Sequence, residues 1–366
     1  MSWDDRADAV LDKIREVGRW RQPRTLDAQD AVAGSVEGRP VVSFASNDYL
    51  GLSHHPEVVK AAHQALDRWG AGAGAARLVV GSRPVHDELE AALADWKHTQ
   101  DAVLFPTGYA ANLGVLTALG GPDVTILSDE LNHASIIDGC RLSRSEIRIY
   151  RHNDLDHLAD LLTATHGPTL VVTDTVFSMD GDTVDLPELI GLTHDHEALL
   201  ILDEAHAVLG PDVPFGTTGV LRVGTLSKTL GSLGGFVAGD RRYVDLLRNV
   251  ARPYIFTTAS TPADMAAARA ALAVVRSFEG DRLRATLRRH IDRLRPGHPS
   301  PIIPVVLGEE QAALAAAAEL EQQGLLVPAI RPPTVPQGTS RLRVALSAAH
   351  TDEQVERLAA ALAAME

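Results

Sequence analysis

The chain has a single cysteine, Cys140, so it can form no disulfide within itself and no cluster of cysteine metal ligands. Positive charge is in deficit: 34 Lys and Arg stand against 48 Asp and Glu, a formal net charge of −14. A basic stripe for nucleic acid is therefore not expected, although a few local arginines can still capture a small anion. No run approaches the roughly 18 uninterrupted apolar residues that suggest a membrane span. Residues 1–21 are charged throughout and lack the apolar centre of a secretory signal. These absences lead to the expectation of a cytoplasmic globular protein. What is present is substantial: 366 residues, 45% of them hydrophobic, suggest two or three lobes rather than one small domain.

The first twenty residues read as a polar helix with Val10, Ile14 and Val17 along one face. Val41–Phe44 reads as a short strand that runs into Ser46–Leu52. Pro56 opens a helix with Val59, Ala62, Leu66 and Trp69 at helical spacing, and Pro84 opens another that ends near Trp96. Between them, Gly70–Ala76 is too small in side chain for a core and reads as a loop whose backbone approaches something closely. Seven β-rich runs follow: Ala102–Phe105, Val124–Leu127, Ile147–Tyr150, Leu170–Thr173, Leu199–Leu202, Val220–Val223 and Phe236–Ala238. Separated by amphipathic stretches, they predict a mostly parallel sheet covered on both faces. Past about residue 280 the pattern becomes α+β, with strands at Ile302–Leu307, Leu325–Ile330 and Arg341–Leu346. The expected class is α/β, with an N-terminal helical segment over 1–45, a large domain over 46–278 and a smaller α+β domain over 279–366.

Three strand ends carry chemistry. Leu199–Leu202 runs into Asp203-Glu204-Ala205-His206, which puts two acids and a histidine at the carboxyl edge of the sheet, where open α/β folds bind ligands. Leu221–Gly224 runs into Thr225-Leu226-Ser227-Lys228, with Gly231, Gly234 and Gly235 beyond. A lysine among hydroxyls and glycines, 25 positions after Asp203, fits pyridoxal phosphate (PLP): the amine forms an imine, and the acid pairs with the pyridinium nitrogen. Third, Phe105–Asn112 ends a strand and opens a helix whose first amides can cup a phosphate.

Asp203–His206, Gly224–Gly231 and Ser135–Gly139 after Asn132-His133-Ala134 resemble the α-oxoamine synthase family, and the resemblance extends over almost the whole chain. It implies a fold-type I PLP-dependent transferase that condenses an amino acid with an acyl thioester and loses CO₂. Ala45–Pro56 and Ala329–Arg343 most resemble the branch that joins L-alanine to a pimeloyl thioester, carried by CoA or by a carrier protein, in biotin biosynthesis. The resemblance assigns Lys228 as PLP anchor and base, Asp203 as partner of the ring nitrogen, and His206 and Ser178 as partners of the ring O3′. His133 would stack on the ring and donate a proton. Gly108, Tyr109 and Thr225 would hold the phosphate, joined by Thr257 or Thr258 of the partner subunit in a homodimer. Asn47 and Arg343 would grip the alanine carboxylate; Arg21 and Thr334 would meet the acyl side. No metal is implied.

The chain departs from that pattern at Ala76, where relatives carry a hydroxyl residue before Arg77, and in short segments at Ala207–Asp212 and Val213–Gly219. These bear on substrate range and loop closure, not on cofactor chemistry. Glycine with acetyl-CoA or succinyl-CoA is the alternative substrate pair. A catalytically silent partner subunit, which would lack the lysine, and a PLP aminotransferase are the further alternatives.

Overall fold

The computed structural model describes residues 1–365. Ser2 caps α1 (Trp3–Glu16), an exposed helix that ends before Gly18 at φ +64°. The chain then forms β1 (Asp27–Ala28), β2 (Ala33–Val36) and β3 (Arg39–Ser43). Glu37 and Gly38, both at positive φ, make the two-residue turn between β2 and β3, a geometry that matches strand twist. The expected helical segment over 1–45 is thus helical only to Glu16. The remainder pairs as strands because Val36, Val41 and Ser43 turn inward at alternate positions.

Next come α2 (Pro56–Trp69) and α3 (Pro84–Trp96), each opened by its proline as expected. The central elements are β4 (Asp101–Phe105), α4 (Gly108–Leu119), β5 (Thr125–Asp129), α5 (Ala134–Ser143), β6 (Glu146–Tyr150), α6 (Leu155–Thr163), β7 (Thr169–Asp174), α7 (Leu186–Asp195), β8 (Leu199–Asp203), β9 (Val220–Thr225) and β10 (Gly235–Gly239). The seven strands lie in the order β4-β10-β9-β8-β7-β5-β6, parallel except for β10, which runs antiparallel to both neighbours. All seven β-rich runs of the sequence are strands of this sheet.

Alternation along each strand builds two cores. Ile201, Val172, Val223 and Val237 face α4, α5 and α8 (Arg241–Val250), whereas Leu200, Leu202, Val171 and Leu127 face α6 and α7. At the other end of the second face, Leu104, Phe236 and Ala238 meet α2, α3 and α10 (Pro262–Val275), α9 (Arg252–Ile255) being the short helix before α10.

The C-terminal part comprises α11 (Phe278–Leu294), β11 (Ile302–Gly308), α12 (Glu310–Gln322), β12 (Leu325–Leu326), β13 (Ala329–Ile330), β14 (Ser340–Ala345) and α13 (Asp352–Ala363). The run expected as one strand over Leu325–Ile330 is divided, since Pro328 has no N–H for a ladder. β12 extends the N-terminal sheet beside β3, and β13 joins β11 and β14. The N-terminal strands are therefore stitched to the C-terminal part of the chain. Among the described residues no helix is long and apolar enough to cross a membrane.

Candidate active site

The carboxyl ends of β7, β8 and β9 bring the chemistry together. Asp174 and Asp203 are register partners at the ends of β7 and β8. Asp203 is buried, and its Oδ1 accepts from the Ala205 amide at 2.9 Å while Oδ2 accepts from Asn112 Nδ2 at 2.6 Å. No Lys, Arg or His among the described residues forms an ion pair with it. The same Asn112 amide donates to Ser135 Oγ at 2.9 Å. Ser135 in turn bonds His133 Nδ1 through its hydroxyl (2.8 Å) and its backbone N–H (3.2 Å). Because Nδ1 accepts, the proton of the neutral imidazole sits on Nε2. Burial holds His133 below the usual histidine range despite Asp203, and Lys228 adds to that lowering. Asp174 Oδ2 accepts from the His133 amide at 2.8 Å; burial and then Asp203 raise its pKa well above the carboxylate range.

A second chain of bonds starts at Lys228. Its Nζ lies 2.7 Å from His206 Nε2, and His206 Nδ1 lies 2.5 Å from Tyr49 Oη. Tyr49 donates to Asn47 Oδ1 at 3.1 Å, and the same oxygen accepts from Arg343 Nη2 at 3.1 Å. Arg343 Nε donates to the Ser178 carbonyl at 2.5 Å. With Tyr49 donating to Asn47, His206 carries its proton on Nδ1 and accepts at Nε2. Burial, then the charges of Lys228 and Arg343, hold its pKa well below the ordinary value, so the ring is neutral. Burial likewise lowers Lys228, with Asp203 and Asp174 opposing and Arg343 assisting.

Arg343 is 5% exposed and has no carboxylate partner among the described residues. Other buried arginines do: Arg341 on the same strand pairs with Asp180, and Arg222 on β9 with Glu204 at 2.6 Å. A buried guanidinium without a counter-ion is costly unless an anion arrives from outside.

The third component is the start of α4. Thr107 Oγ1 caps Ala110 and the Thr107 carbonyl takes the Ala111 amide, which leaves the Gly108 and Tyr109 amides among the donors that a helix cannot satisfy itself. A Cβ on Gly235 would lie 2.4 Å from the Thr107 carbonyl, and one on Gly108 would lie 3.2 Å from Thr225 Cβ. Glycine thus lets the helix end settle on β9 and β10, beside the Thr225 and Ser227 hydroxyls, which are 2.8 Å apart.

The structure thus gathers Lys228, His206, Asn47, Arg343 and Ser178 into one bonded chain, with Asp203 and His133 in another and Gly108 against Thr225. The Ser178 carbonyl, rather than its hydroxyl, makes the bond to Arg343. The Tyr109 hydroxyl turns away to Asp138. Thr257 and Thr258 follow α9 beside the glycine-rich loop: Ala76 bridges Thr258, and the Ala259 amide bonds Ala75 at 3.0 Å. Arg21 and Thr334 lie outside these networks, on exposed segments joined where Arg331 Nη1 donates to the Gly18 carbonyl at 3.2 Å. Sequence reasoning missed Tyr49, Asn112, Ser135 and Asp174. For Asn112 the available signal was one amide on an otherwise apolar helix. Glu204 turns away from the site into an ion network with Lys97 (2.7 Å) and Arg222.

The donor set fits PLP. A buried carboxylate without a cation suits a pyridinium N–H, a desolvated lysine suits imine formation, and free helix amides suit a phosphate. Residues 39–362 match the model of aminotransferase class I and II. The 8-amino-7-oxononanoate synthase of Anaeromyxobacter dehalogenans is 50% identical, covering 98% of this chain and 94% of its own length. Among solved structures, serine palmitoyltransferase with PLP superposes with a TM-score of 0.94 at 28% identity, covering 100% of this chain and 98% of that one. The 8-amino-7-oxononanoate synthase of Francisella tularensis does so with a TM-score of 0.75 at 26% identity, covering 89% and 96%. The chain therefore belongs to the aminotransferase class I and II family and, within it, to the 8-amino-7-oxononanoate synthases, PLP-dependent acyltransferases.

Proposed function

We propose that the protein condenses L-alanine with a pimeloyl thioester, carried by CoA or a carrier protein, to give 8-amino-7-oxononanoate, CO₂ and the free thiol, a step of biotin biosynthesis. The observation that carries this reading is the buried, uncompensated Arg343 guanidinium, linked through Asn47, Tyr49 and His206 to Lys228. That arrangement suits an amino acid held by its carboxylate while a lysine works at its α-carbon.

Bound PLP supplies an electron sink that acidifies the α-carbon of an attached amino acid. Asp203, fixed by Asn112, would keep the ring nitrogen protonated, and His206 and Ser178 would hold the ring oxygen. The Gly108 and Tyr109 amides and Thr225 would hold the phosphate, with Thr257 or Thr258 of the partner subunit. Lys228 Nζ, whose proton affinity burial reduces, takes the α-proton and returns it at the end. Arg343 and Asn47 hold the carboxylate, the planar fork setting which bond at the α-carbon faces the lysine. His133 would lie against the ring, its Nε2 proton available to the thioester or keto-acid oxygen. Arg21 and Thr334 meet the acyl chain. Two such sites form in a homodimer: Leu78, Val79, Val80 and Phe256 are exposed on neighbouring segments beside Thr257, as an interface requires. In this reading the chain comprises a large α/β domain over 46–278, flanked by an N-terminal segment over 1–45 and a C-terminal domain over 279–366.

Mass spectrometry of products formed from alanine or glycine with a panel of acyl thioesters tests the reading. The expected product is 8-amino-7-oxononanoate, from alanine and the pimeloyl thioester only. Exclusive use of glycine would overturn it.

A further inference from the structure

The loop between β7 and α7 is held at both ends of the molecule. On one side the Arg343 Nε bond falls on the Ser178 carbonyl, Arg341 pairs with Asp180, and Ser300 Oγ donates to the Gly181 carbonyl at 2.7 Å. Gly181 has φ +71°, and a Cβ there would lie 1.9 Å from the Ile302 carbonyl, so the loop is pressed against β11. On the other side stands His152, just past β6. Its Nδ1 lies 3.0 Å from Asp129 and its Nε2 2.7 Å from Asp182, an acid of the loop. Carboxylates only accept, so both ring nitrogens donate and His152 is an imidazolium. Its ring also meets the Phe177 ring edge-on, with centroids 4.3 Å apart, and Asn153 Nδ2 adds a 2.9 Å bond to the same Asp182 oxygen. Within the loop the Phe177 amide bonds the Asp182 carbonyl and the Gly181 amide bonds the Phe177 carbonyl, at 3.0 and 2.8 Å. These bonds tie the turn into one unit, with Asp182 at its latch and Ser178 at its tip.

We infer that His152 is a positioning residue: by bridging Asp129 and Asp182 it sets the loop whose Ser178 carbonyl aims the Arg343 fork at the substrate carboxylate. This rests on the reading of Arg343 as the carboxylate grip. His152 touches neither cofactor nor substrate; it acts through Asp182, the loop and Ser178. A fork is useful only at the correct angle, because its two N–H donors must meet two oxygens in one plane. Releasing the latch leaves the guanidinium in place but lets it tilt.

The consequence is selective. Binding of an amino acid should weaken, while binding of the same molecule without its carboxylate should not. The test titrates the PLP-loaded enzyme spectrophotometrically with L-alanine and with L-alaninamide and compares the ratio of the two Kd values. His152→Gln is expected to reduce that ratio roughly tenfold, the scale of one misdirected charge-assisted hydrogen bond. Its alaninamide Kd and PLP absorbance should stay within about twofold of the parent. Asp182→Asn, which removes the latch charge at almost constant shape, should do the same and decides the matter if His152→Gln fails to hold PLP. Arg343→Ala is the companion measurement and should abolish the discrimination. Should Arg343→Ala lose it while both latch variants keep it, the inference is wrong and the carboxylate reading stands. Should Arg343→Ala keep it, the carboxylate reading fails and the inference falls with it. A merely structural His152 would lower the melting temperature and leave the ratio unchanged.

Discussion

Asn112 spends one amide group on two partners, Asp203 Oδ2 and Ser135 Oγ, and so ties Asp203 to His133 through Ser135. Asn112→Ala strips a buried carboxylate of a charge-assisted donor, an effect of about 1.5–3 kcal/mol. Equilibrium titration of the apoenzyme should therefore show PLP binding weakened by roughly tenfold or more; an unchanged Kd would contradict this role. Lys228, Asp203 and His206 were legible in the sequence because each follows an unmistakable apolar strand. Asn112 was not, because the acid it serves is 91 positions away. Tyr49 was invisible for the same reason: only folding carries it to His206. Glu204 shows the converse, an acid in the conspicuous run whose partners, Lys97 and Arg222, lie on other elements and draw it off the site.

At the scale of elements, α4 reaches the sheet only because β10 begins with glycine. Gly235→Ala would drive a methyl into the Thr107 carbonyl and the Gly108 amide. It should lift the helix end and weaken PLP binding more than it lowers the melting temperature, which paired titration and thermal unfolding would show. The latch between β5, β6 and the loop after β7 makes a pH-dependent contribution. Burial alone would lower His152, but its bonds to Asp129 and Asp182 reverse this and push it up to about 10. A folded value raised above the unfolded one, about 6.5, means stability fully present below pH ~6.5 and lost as pH rises through about 10. The melting temperature of the parent minus that of His152→Gln should accordingly shrink from neutral pH to pH 10; a constant difference would count against the charged latch. Strands of five or six residues were readable from composition, whereas β12 and β13, two residues each, were read as one strand over Leu325–Ile330. Their pairing is decided by partners some 280 residues away for β12 and by Pro328 between them.

For the whole molecule, the α/β class and the parallel sheet followed from alternating apolar runs and amphipathic stretches. The place of the first 45 residues did not. β1, β2 and β3 pair in turn, but β12 from the far end of the chain completes their sheet, and Arg19 and Arg331 share Glu310 at 2.8 and 3.6 Å. In the proposed homodimer the exposed Leu78–Val80 and Phe256 surface is the interface. Val79→Asp places a charge there and is expected to shift sedimentation from dimer toward monomer and to reduce turnover along with it. Retained dimer at full activity would remove this surface from the interface.

The unpaired guanidinium of Arg343 has an effect beyond grip, since its charge is among those that depress the proton affinity of Lys228. A carboxylate that docks on it cancels that charge. If Arg343 is the carboxylate grip, the lysine freed from the imine would be a stronger base with an amino acid's carboxylate in place than without one. In the apoenzyme, propionate should raise the apparent pKa of Lys228, followed by its rate of pH-dependent acylation, and Arg343→Ala should abolish the rise. Occupancy of the carboxylate site would then be its own signal for proton removal, a substrate-gated base with no moving part.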